Sequence, residues 1–374
     1  MIRLLEKKNL QDMTTFGLPA ECGRLVEYDD YLADLPELDR EGLLADAFVI
    51  GGGSNLLFAS DVSARTFLHP VESRVEERKT DSGTEVTATA GVCLDDLCSR
   101  LASRNLWGTE NLSGIPGHIG GAAVQNVGAY GAEFKDVVVS LECYSPAIHD
   151  FVTLRKEECR YDYRDSVFKH LPPGERLIVC SATLRLSEEP IFNLRYQGLV
   201  GTLGARLGLP ENLRNNEEAV RKALLDSAAL SPLLFREAVT AMRDSKLPDP
   251  GRTGSAGSFF KNPVVGPDDF DRLTERWRQI AGEPQAQVAM HPLHPESCPR
   301  AEQRFKLSAA WLIDKAGCKG MTSGGAALWP RQPLVLVNAS GTATATDVVT
   351  LERAVIARVR DVFGITLSPE VIHI

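Results

Sequence analysis

Long apolar runs are missing from this sequence: no stretch approaches the roughly 20 consecutive apolar residues of a membrane-spanning helix. The first residues, MIRLLEKKNLQDMTTFG, are interrupted by charges before any apolar segment forms, so we expect neither a secretory signal nor a membrane anchor. Clusters of basic residues are also missing, because 50 Asp and Glu outnumber 41 Lys and Arg and the net charge is -9. We therefore expect a cytoplasmic protein that does not bind nucleic acid or insert into membranes.

Several site motifs are missing as well. The 8 cysteines are scattered without a C-x-x-C pair, so we predict neither a metal site nor a disulfide framework. No G-x-S-x-G surrounds a serine, which argues against a hydrolase nucleophile. The glycine-rich loops lack both the G-K-[ST] ending of a P-loop and the G-x-G-x-x-G spacing of a Rossmann turn.

Glycine itself is abundant and is concentrated in two loops. Residues 113–133 have the sequence SGIPGHIGGAAVQNVGAYGAE, and residues 50–57, IGGGSNLL, continue a short apolar strand. Positions without a side chain let backbone N–H groups line a ligand. Two such loops, each after a strand, predict a dinucleotide between two small α+β subdomains, with N–H groups facing its pyrophosphate. The alternative is that both loops are only tight turns.

The sequence around three polar residues is compatible with a catalytic role for each of them. Arg164 lies between aromatic residues in YDYRDSVFK, where it could hold a carboxylate or form a surface salt bridge with Asp165. Ser258 lies in SAGSFFKNP, and its hydroxyl could donate a proton to a strong base or simply stabilise a turn. Glu370 follows Pro369 near the C-terminus, either as a capping residue or as an acid held in a site.

Hydrophobic periodicity predicts the regular elements. We predict strands at residues 47–50, 85–93, 137–141, 177–186 and 334–338, and helices at residues 94–105, 215–226, 232–243, 308–316 and 347–363. Thr346 is expected to cap the last helix and Gly364 to end it. Residues 247–251, LPDPG, predict a rigid linker at a domain boundary, and residues 282–304, rich in Pro and His, an exposed insertion.

Taken together, these motifs resemble the UDP-N-acetylenolpyruvoylglucosamine reductases, flavoenzymes of bacterial cell-wall precursor synthesis. The resemblance runs from Thr14 to the C-terminus through IGGGSNLL, IPGHIGGAAVQNVGAYGAE, YRDSVFK, SKLPDP, AGSFFKNP, KLSAAWLID and PEV, in that order. Tyr196, Gln197 and the helical segment after them resemble the subtype that has a substrate-capping tyrosine loop.

The resemblance implies an α+β fold, with a two-subdomain FAD-binding domain of the vanillyl-alcohol-oxidase (PCMH) type and a C-terminal α+β substrate-binding domain. It implies a first FAD-binding subdomain at residues 1–69 and a second at residues 70–246, which includes a helical tyrosine-loop insertion near residues 190–246. The substrate-binding domain would span residues 247–374, and its last residues could return to the first subdomain. We expect a monomer.

The implied reaction is the reduction of UDP-N-acetylglucosamine enolpyruvate to UDP-N-acetylmuramate, with tightly but non-covalently bound FAD and with NADPH as co-substrate. By resemblance, Arg164 would hold the substrate carboxylate and stabilise its growing charge. Ser258 would protonate the neighbouring carbon, and Glu370 would hydrogen-bond or polarise the carboxylate. The implied substrate-binding residues are Tyr163, Tyr196, Lys246, Asn262 and Gln332. The implied FAD-binding residues are Gly51, Gly52, Gly53, Ser54, Asn55, Leu56, Ser113, Gly114, Ile115, Pro116, Gly117, Gly121, Gln125, Asn126, Gly128, Tyr130 and Arg243.

Two other functions stay open on the sequence. A flavin-dependent alcohol or sugar oxidase of the same fold often attaches its flavin covalently through a His in the first glycine loop, which here has none. His118 in the second loop is expected to be a turn residue that faces solvent. A nucleotide-binding regulatory protein is the other alternative, although it would need none of Arg164, Ser258 and Glu370.

Overall fold

The computed structural model describes residues 1–294 and 298–374, and these form two compact units. Unit 1 comprises Met1–Asn9, Glu21–Gly53 and Val62–Ser245. Unit 2 comprises Leu10–Ala20, Ser54–Asp61 and Lys246–Ile374. Two short segments from the beginning of the chain therefore belong to the unit that is otherwise built from its C-terminal part.

The described residues form more strands than helices in the N-terminal half, three consecutive helices between residues 197 and 246, and a mixture of both after them. The strands are β1 (Arg3–Asn9), β2 (Glu21–Tyr28), β3 (Phe48–Val49), β4 (Leu56–Leu57), β5 (Thr66–Pro70), β6 (Val75–Thr80), β7 (Gly83–Thr89), β8 (Gly128–Ala129), β9 (Ala132–Glu133), β10 (Val138–Ser145), β11 (Asp150–Arg155), β12 (Ile178–Leu186), β13 (Gly254–Ser255), β14 (Val264–Val265), β15 (Met290–Pro292), β16 (Phe305–Leu307), β17 (Thr322–Ser323), β18 (Ala326–Leu328), β19 (Leu336–Asn338) and β20 (Ile372–His373). The helices are α1 (Tyr31–Arg40), α2 (Leu94–Ser103), α3 (Ile119–Gln125), α4 (Gln197–Arg206), α5 (Glu217–Leu225), α6 (Pro232–Lys246), α7 (Pro267–Ala281), α8 (Ala309–Lys315) and α9 (Ala345–Phe363).

Unit 1 contains two sheets and a helical cluster. The order β1-β2-β5-β3 mixes one antiparallel pair with two parallel pairs, whereas all neighbours in β11-β10-β12-β7-β6 are antiparallel. The apolar face of α2 that the periodicity predicts, with Leu94, Leu97 and Leu101, is buried in a core that β7, β10 and β12 share. The helices α4, α5 and α6 enclose a separate core around Trp107. Burial of each large apolar side chain in these cores stabilises the folded state by roughly 1.5–3 kcal/mol.

Unit 2 contains the sheet β13-β19-β18-β17, the sheet β14-β16-β15 and the parallel pair β20-β4. The helices α7, α8 and α9 pack against strand and loop residues such as Phe259 and Phe260 in its core. Since sheets and helices are mixed in both units, the predicted α+β class is confirmed. No helix of the described residues is long and apolar enough to cross a membrane.

The predicted cap of the last helix is wrong. Thr344, two residues before Thr346, accepts the N–H of Asp347 at 3.2 Å, and Asp347 Oδ2 accepts the N–H of Thr344 at 2.9 Å. This reciprocal capping box satisfies two N–H groups at once, so the helix begins earlier than predicted. The prediction that Gly364 ends the helix is confirmed, because its φ of +73° is left-handed.

The predicted insertion at residues 282–304 lies partly outside the described residues, which omit 295–297. Within the part that is described, Met290–Pro292 pairs with β16 and Val288 is buried. The segment is therefore not exposed throughout. Periodicity also missed α1, where Pro36 interrupts the sequence pattern, and α7, whose only fully buried residue is Leu273.

Candidate functional site

The two glycine loops meet in unit 1. A Cβ atom on Gly52 would lie only 2.8 Å from the Cα atom of Gly117, so the two backbones approach as closely as glycine allows. Gly117 has a φ of +111°, which a residue with a side chain rarely adopts. His118 lies against the same contact, since its Cβ atom is 3.6 Å from the Cβ position of Gly51. The sequence-based prediction that both loops belong to one feature agrees with this geometry.

His118 is not the solvent-facing residue that the sequence predicts. Its backbone caps α3, its Nδ1 atom is buried without a hydrogen-bond partner among the described residues, and its ring centroid lies 5.9 Å from that of His69. Burial, and to a lesser degree the neighbouring His69, lowers the pKa of His118 below its ordinary value. Its position inside the loop contact thus favours the neutral form of the ring.

The residues of the two loops fit a flat cofactor that carries phosphates. Within the described residues, the N–H groups of Gly51, Gly52 and Gly53 donate no hydrogen bond. Ser113 Oγ is fully buried and has no partner there either. A Cβ on Gly121, in the first turn of α3, would meet no protein atom within 4 Å. Buried polar atoms are normally paired, and backbone N–H groups in such loops bind anions, so this donor set suits FAD.

Arg243 and two tyrosines border the second glycine loop. The Cδ and Nε atoms of Arg243, on α6, are each 2.9 Å from the Cβ position of Gly114. Burial lowers the pKa of Arg243, while the nearby hydroxyl of Tyr130, to which it hydrogen-bonds, acts in the opposite direction. The Tyr130 ring in turn meets that of Tyr196 edge-on, with centroids 5.2 Å apart. The structure therefore brings these three predicted site residues together.

Asp95 is a supporting residue that the sequence analysis missed. Its Oδ1 atom accepts the N–H of Gly114 at 2.5 Å, and both its carboxylate oxygens accept hydrogen bonds from Arg236 on α6. Burial pulls the pKa of Asp95 upward, but the bonds from Arg236 and Gly114 hold it below its ordinary value. No motif marks Asp95, because its partners lie far away in the sequence.

The side chains of Gln125 and Asn126, two predicted cofactor-binding residues, form hydrogen bonds with other residues of the protein. Asn126 ends α3 in the left-handed conformation, and its amide bonds the carbonyl of Asp162 at 2.8 Å and the N–H of Lys135 at 3.0 Å. Gln125 Oε1 accepts from Lys169 Nζ, which also donates to the carbonyl of Arg164 at 2.8 Å. Both amides therefore connect the glycine-rich run to the Arg164 loop.

Arg164 is held in a strained conformation. Its φ of +54° is left-handed, which costs roughly 1–2 kcal/mol for a residue with a side chain. Its Nη2 atom donates to the carbonyl of Gly128, and its guanidinium carbon lies 5.2 Å from the centre of the Tyr163 ring. Such strain persists only where the surroundings impose it, and it is concentrated at functional sites.

Ser258 and Glu370 lie on neighbouring segments of unit 2. Phe260 forms an antiparallel bridge with Pro369, and the carbonyl of Phe259 accepts the N–H of Glu370 at 2.8 Å. Phe259 and Phe260 are buried, whereas Ser258 is exposed. The aromatic side chains thus anchor the backbone that presents the serine, as the sequence suggests.

Three predicted substrate-binding residues also belong to unit 2. The carbonyl of Lys246 accepts from Trp329 Nε1 at 2.9 Å, and the N–H of Gln332 donates to the carbonyl of Trp329 at 3.2 Å. Asn262 Oδ1 accepts the N–H of Ala309, the first residue of α8, at 2.9 Å. Trp329 therefore brings Lys246 and Gln332 together, and Asn262 helps to begin α8.

Asn55 has contacts that its predicted cofactor role does not explain. Like Ser54 and Leu56, it lies in unit 2, whereas Gly51, Gly52 and Gly53 lie in unit 1. Its Nδ2 atom donates to the carbonyl of Glu370 at 3.2 Å, and its own carbonyl accepts the N–H of Ile372 at 3.0 Å. Asn55 therefore holds the segment that carries Glu370.

Known proteins similar to this chain cover both units. A family model described as UDP-N-acetylenolpyruvoylglucosamine reductase, C-terminal domain, matches residues 249–374, and one described as FAD binding domain matches residues 45–147. The chain is 37% identical over 368 residues to a UDP-N-acetylenolpyruvoylglucosamine reductase of Bacteroides fragilis (strain YCH46), covering 98% of both sequences. It is 34% identical over 367 residues to that of Porphyromonas gingivalis (strain ATCC BAA-308 / W83), covering 98% of this chain and 97% of the relative.

Among solved structures, the UDP-N-acetylenolpyruvylglucosamine reductase of Thermus caldophilus has a similar fold. The TM-score is 0.61 at 24% sequence identity, and the match covers 100% of this chain and 98% of that one. The similarity in fold thus extends over the whole length of both chains.

Proposed function

We infer the function from the family to which this chain belongs, that of the UDP-N-acetylenolpyruvoylglucosamine reductases. The chain is a flavoprotein oxidoreductase of peptidoglycan synthesis, which uses FAD to reduce UDP-N-acetylglucosamine enolpyruvate to UDP-N-acetylmuramate, with NADPH as the reductant. The observation that carries this conclusion is the similarity over nearly the full length of both sequences. The oxidase of the same fold is not favoured.

FAD, when bound, supplies the redox chemistry by taking hydride from NADPH and passing it to the enolpyruvyl group. We propose that the backbone N–H groups of Gly51, Gly52 and Gly53, together with Ser113, hold its phosphates and ring. Support comes from the unused N–H groups and from the buried, unpaired hydroxyl of Ser113. Arg243 and Tyr130 are proposed to border the same cofactor.

Arg164 is proposed to hold the carboxylate of the enolpyruvyl group. Its left-handed backbone and its bond to the Gly128 carbonyl orient the planar guanidinium before substrate arrives. A guanidinium so oriented can meet a carboxylate with two parallel hydrogen bonds. It then stabilises the negative charge that grows on the carboxylate and its neighbouring carbon when hydride is added to the terminal methylene carbon.

Ser258 is proposed to donate the proton that completes the reduction, and Glu370 to hydrogen-bond or polarise the carboxylate. A serine hydroxyl is a weak acid, but the carbanion-like charge left by hydride addition is a strong base. Support comes from the exposed position of Ser258 on a backbone anchored by Phe259, which also bonds Glu370. We propose that Tyr163 also binds the substrate, and that Tyr196, Lys246, Asn262 and Gln332 hold its nucleotide diphosphate.

Nucleotide sugars and NADPH are cytoplasmic metabolites, so we propose that the enzyme works in the cytoplasm. We propose separately that it is a monomer. By supplying peptidoglycan precursor it would support cell shape and division. The subdomain boundaries at residues 69 and 246 belong to the same proposal, with residues 247–374 as the substrate-binding domain.

The test replaces Ser258 with Ala and measures the two half-reactions separately by the flavin colour. Bleaching by NADPH should stay near the wild-type rate, whereas recovery with the enolpyruvyl substrate should slow by roughly 10²–10⁴-fold, the usual contribution of a proton donor. Ser368→Ala is the matched control, because Ser368 is an exposed serine on the adjacent segment. Equal slowing of both half-reactions by Ser258→Ala would show that Ser258 is not the proton donor.

A further inference from the structure

The segment that carries Glu370 is held on two sides by backbone hydrogen bonds. On one side, Phe259 accepts the N–H of Glu370 at 2.8 Å, and Lys261 donates to Ser368 at 2.9 Å. On the other side, β20 pairs in parallel with β4, and Asn55 bonds the Glu370 carbonyl. These bonds set the path of the backbone, and a third contact comes from a side chain three residues after Glu370.

That contact is made by His373. Its Nε2 atom lies 2.8 Å from Oε2 of Glu352, which is buried on α9 with 7% of its surface exposed. Its Nδ1 atom lies 3.2 Å from the carbonyl oxygen of Val371, the residue that follows Glu370. The ring also meets that of Phe259 edge-on, with centroids 6.0 Å apart.

The two partners of His373 decide its protonation state. An ionised carboxylate and a carbonyl are both acceptors only, so both ring nitrogens must donate, and only the imidazolium form can do this. Burying Glu352 as an ion without a cation would be costly. Within the described residues, His373 is the ionisable group that pairs with Glu352.

We propose that protonated His373 is a positioning residue for Glu370 and, through Phe259, for Ser258. Its bond to the Val371 carbonyl orients the peptide unit between Val371 and Ile372, one residue beyond Glu370, and its bond to Glu352 ties that unit to α9. Its ring supports Phe259, whose backbone accepts from Glu370 and directly follows Ser258. The inference rests on the roles proposed above for Glu370 and Ser258.

The proposal has a pH dependence with a defined sign. Glu352 faces His373 from α9, while Phe259 and the apolar strand β4 contribute no ionisable group. The hydrogen bond that His373 donates to Glu352 raises the pKa of His373 above its ordinary value of 6.5. The positioning is therefore complete below pH 6.5 and is lost as the pH rises through the higher value of the folded state.

The test compares His373→Leu and His373→Gln with the wild-type holoenzyme. Flavin reduction by NADPH should keep its wild-type rate in both variants. Recovery with the enolpyruvyl substrate should slow about tenfold in His373→Leu, because small displacements of a catalytic group are costly. His373→Gln, which keeps one donor for Glu352, should slow recovery less and should remove the decline of its rate at alkaline pH.

His149→Gln is the matched control, since it removes another His–carboxylate pair, with Asp39 at 2.7 Å, and should change neither half-reaction. Glu370→Gln is assayed in parallel. If Glu370→Gln slows recovery but the His373 variants match wild type in rate and pH profile, the role of His373 is refuted while that of Glu370 stands. If Glu370→Gln recovers normally, the proposed role of Glu370 fails. Equal slowing of both half-reactions, or loss of FAD, in the His373 variants would mean that His373 is only structural.

Discussion

The candidate groups of unit 1 and unit 2 are built in opposite ways. In unit 1 the backbone is proposed to face the ligand: Gly52 and Gly117 remove side chains from the contact, and the partly buried carboxylate of Asp95 supports the loop from behind. In unit 2 the side chains face outward: Ser258 is exposed, and backbone bonds from Phe259 to Glu370 hold its segment in place.

The difference follows from what each region is proposed to do. A resident cofactor needs a preformed wall with a fixed set of donors, and backbone N–H groups held in place by the side chains behind them make such a wall. A proton donor must reach a substrate that enters and leaves, so its side chain has to remain accessible. We therefore expect substitutions in unit 1 to act on cofactor binding and stability, and substitutions at Ser258 or Glu370 to act on the second half-reaction.

Gly52→Ala should have the largest effect in unit 1. The new Cβ atom would lie 2.8 Å from Gly117 Cα, and backbone cannot move aside as a flexible side chain can. Overpacking of this kind costs about 1–3 kcal/mol, which corresponds to a loss of FAD affinity of about ten- to a hundredfold. Titration of the apoprotein with FAD measures this. Gly174→Ala, where a Cβ meets no atom within 4 Å, is the control, and unchanged affinity in Gly52→Ala would contradict the proposed cradle.

Asp95→Ala should weaken the support behind the loop. It leaves Arg236 without its carboxylate and the N–H of Gly114 without its acceptor. We expect the free energy of unfolding, measured with urea, to fall by about 2 kcal/mol. The loss is smaller than for a fully buried ion pair because Asp95 is partly exposed. The loss should shrink in acid, since the stabilisation exists above the ordinary pKa of 3.8 and disappears as the pH falls through the lower folded-state value. The control is Asp96→Ala, at the exposed residue next to Asp95. If both variants unfold with the same free energy, Asp95 does not stabilise the loop.

Glu110→Gln should have the smallest effect. Burial raises the pKa of Glu110 to about 7, although the N–H of Gly108 favours the charged form. The folded chain therefore keeps a proton that the unfolded chain has already released, and stability falls as the pH rises through 7. Between pH 6 and pH 8 the free energy of unfolding of the wild type should fall by about 1 kcal/mol, whereas that of Glu110→Gln should stay constant. Urea unfolding at the two pH values measures this, and parallel curves for the two proteins would contradict it.

Local patterns account for the part of this structure that the sequence predicts well. The helix α2 and the strand β12 follow from apolar periodicity, and Gly364 ends α9 because few other residues adopt its left-handed backbone. The sequence predicts Thr346 as the cap of α9 instead of Thr344, because several polar residues before the helix can cap and only the reciprocal bonds with Asp347 distinguish them.

The sequence by itself determined the family, the α+β class and the two glycine loops, since these depend on residue types in a fixed order along the chain. Only the tertiary structure revealed that Gly52 touches Gly117, that Asp95 bonds Gly114, that Asn55 bonds the carbonyl of Glu370 and that His373 pairs with Glu352. These contacts join residues that are distant in the chain, and their energy comes from hydrogen bonds and burial that exist only after folding. No local motif can encode such pairings.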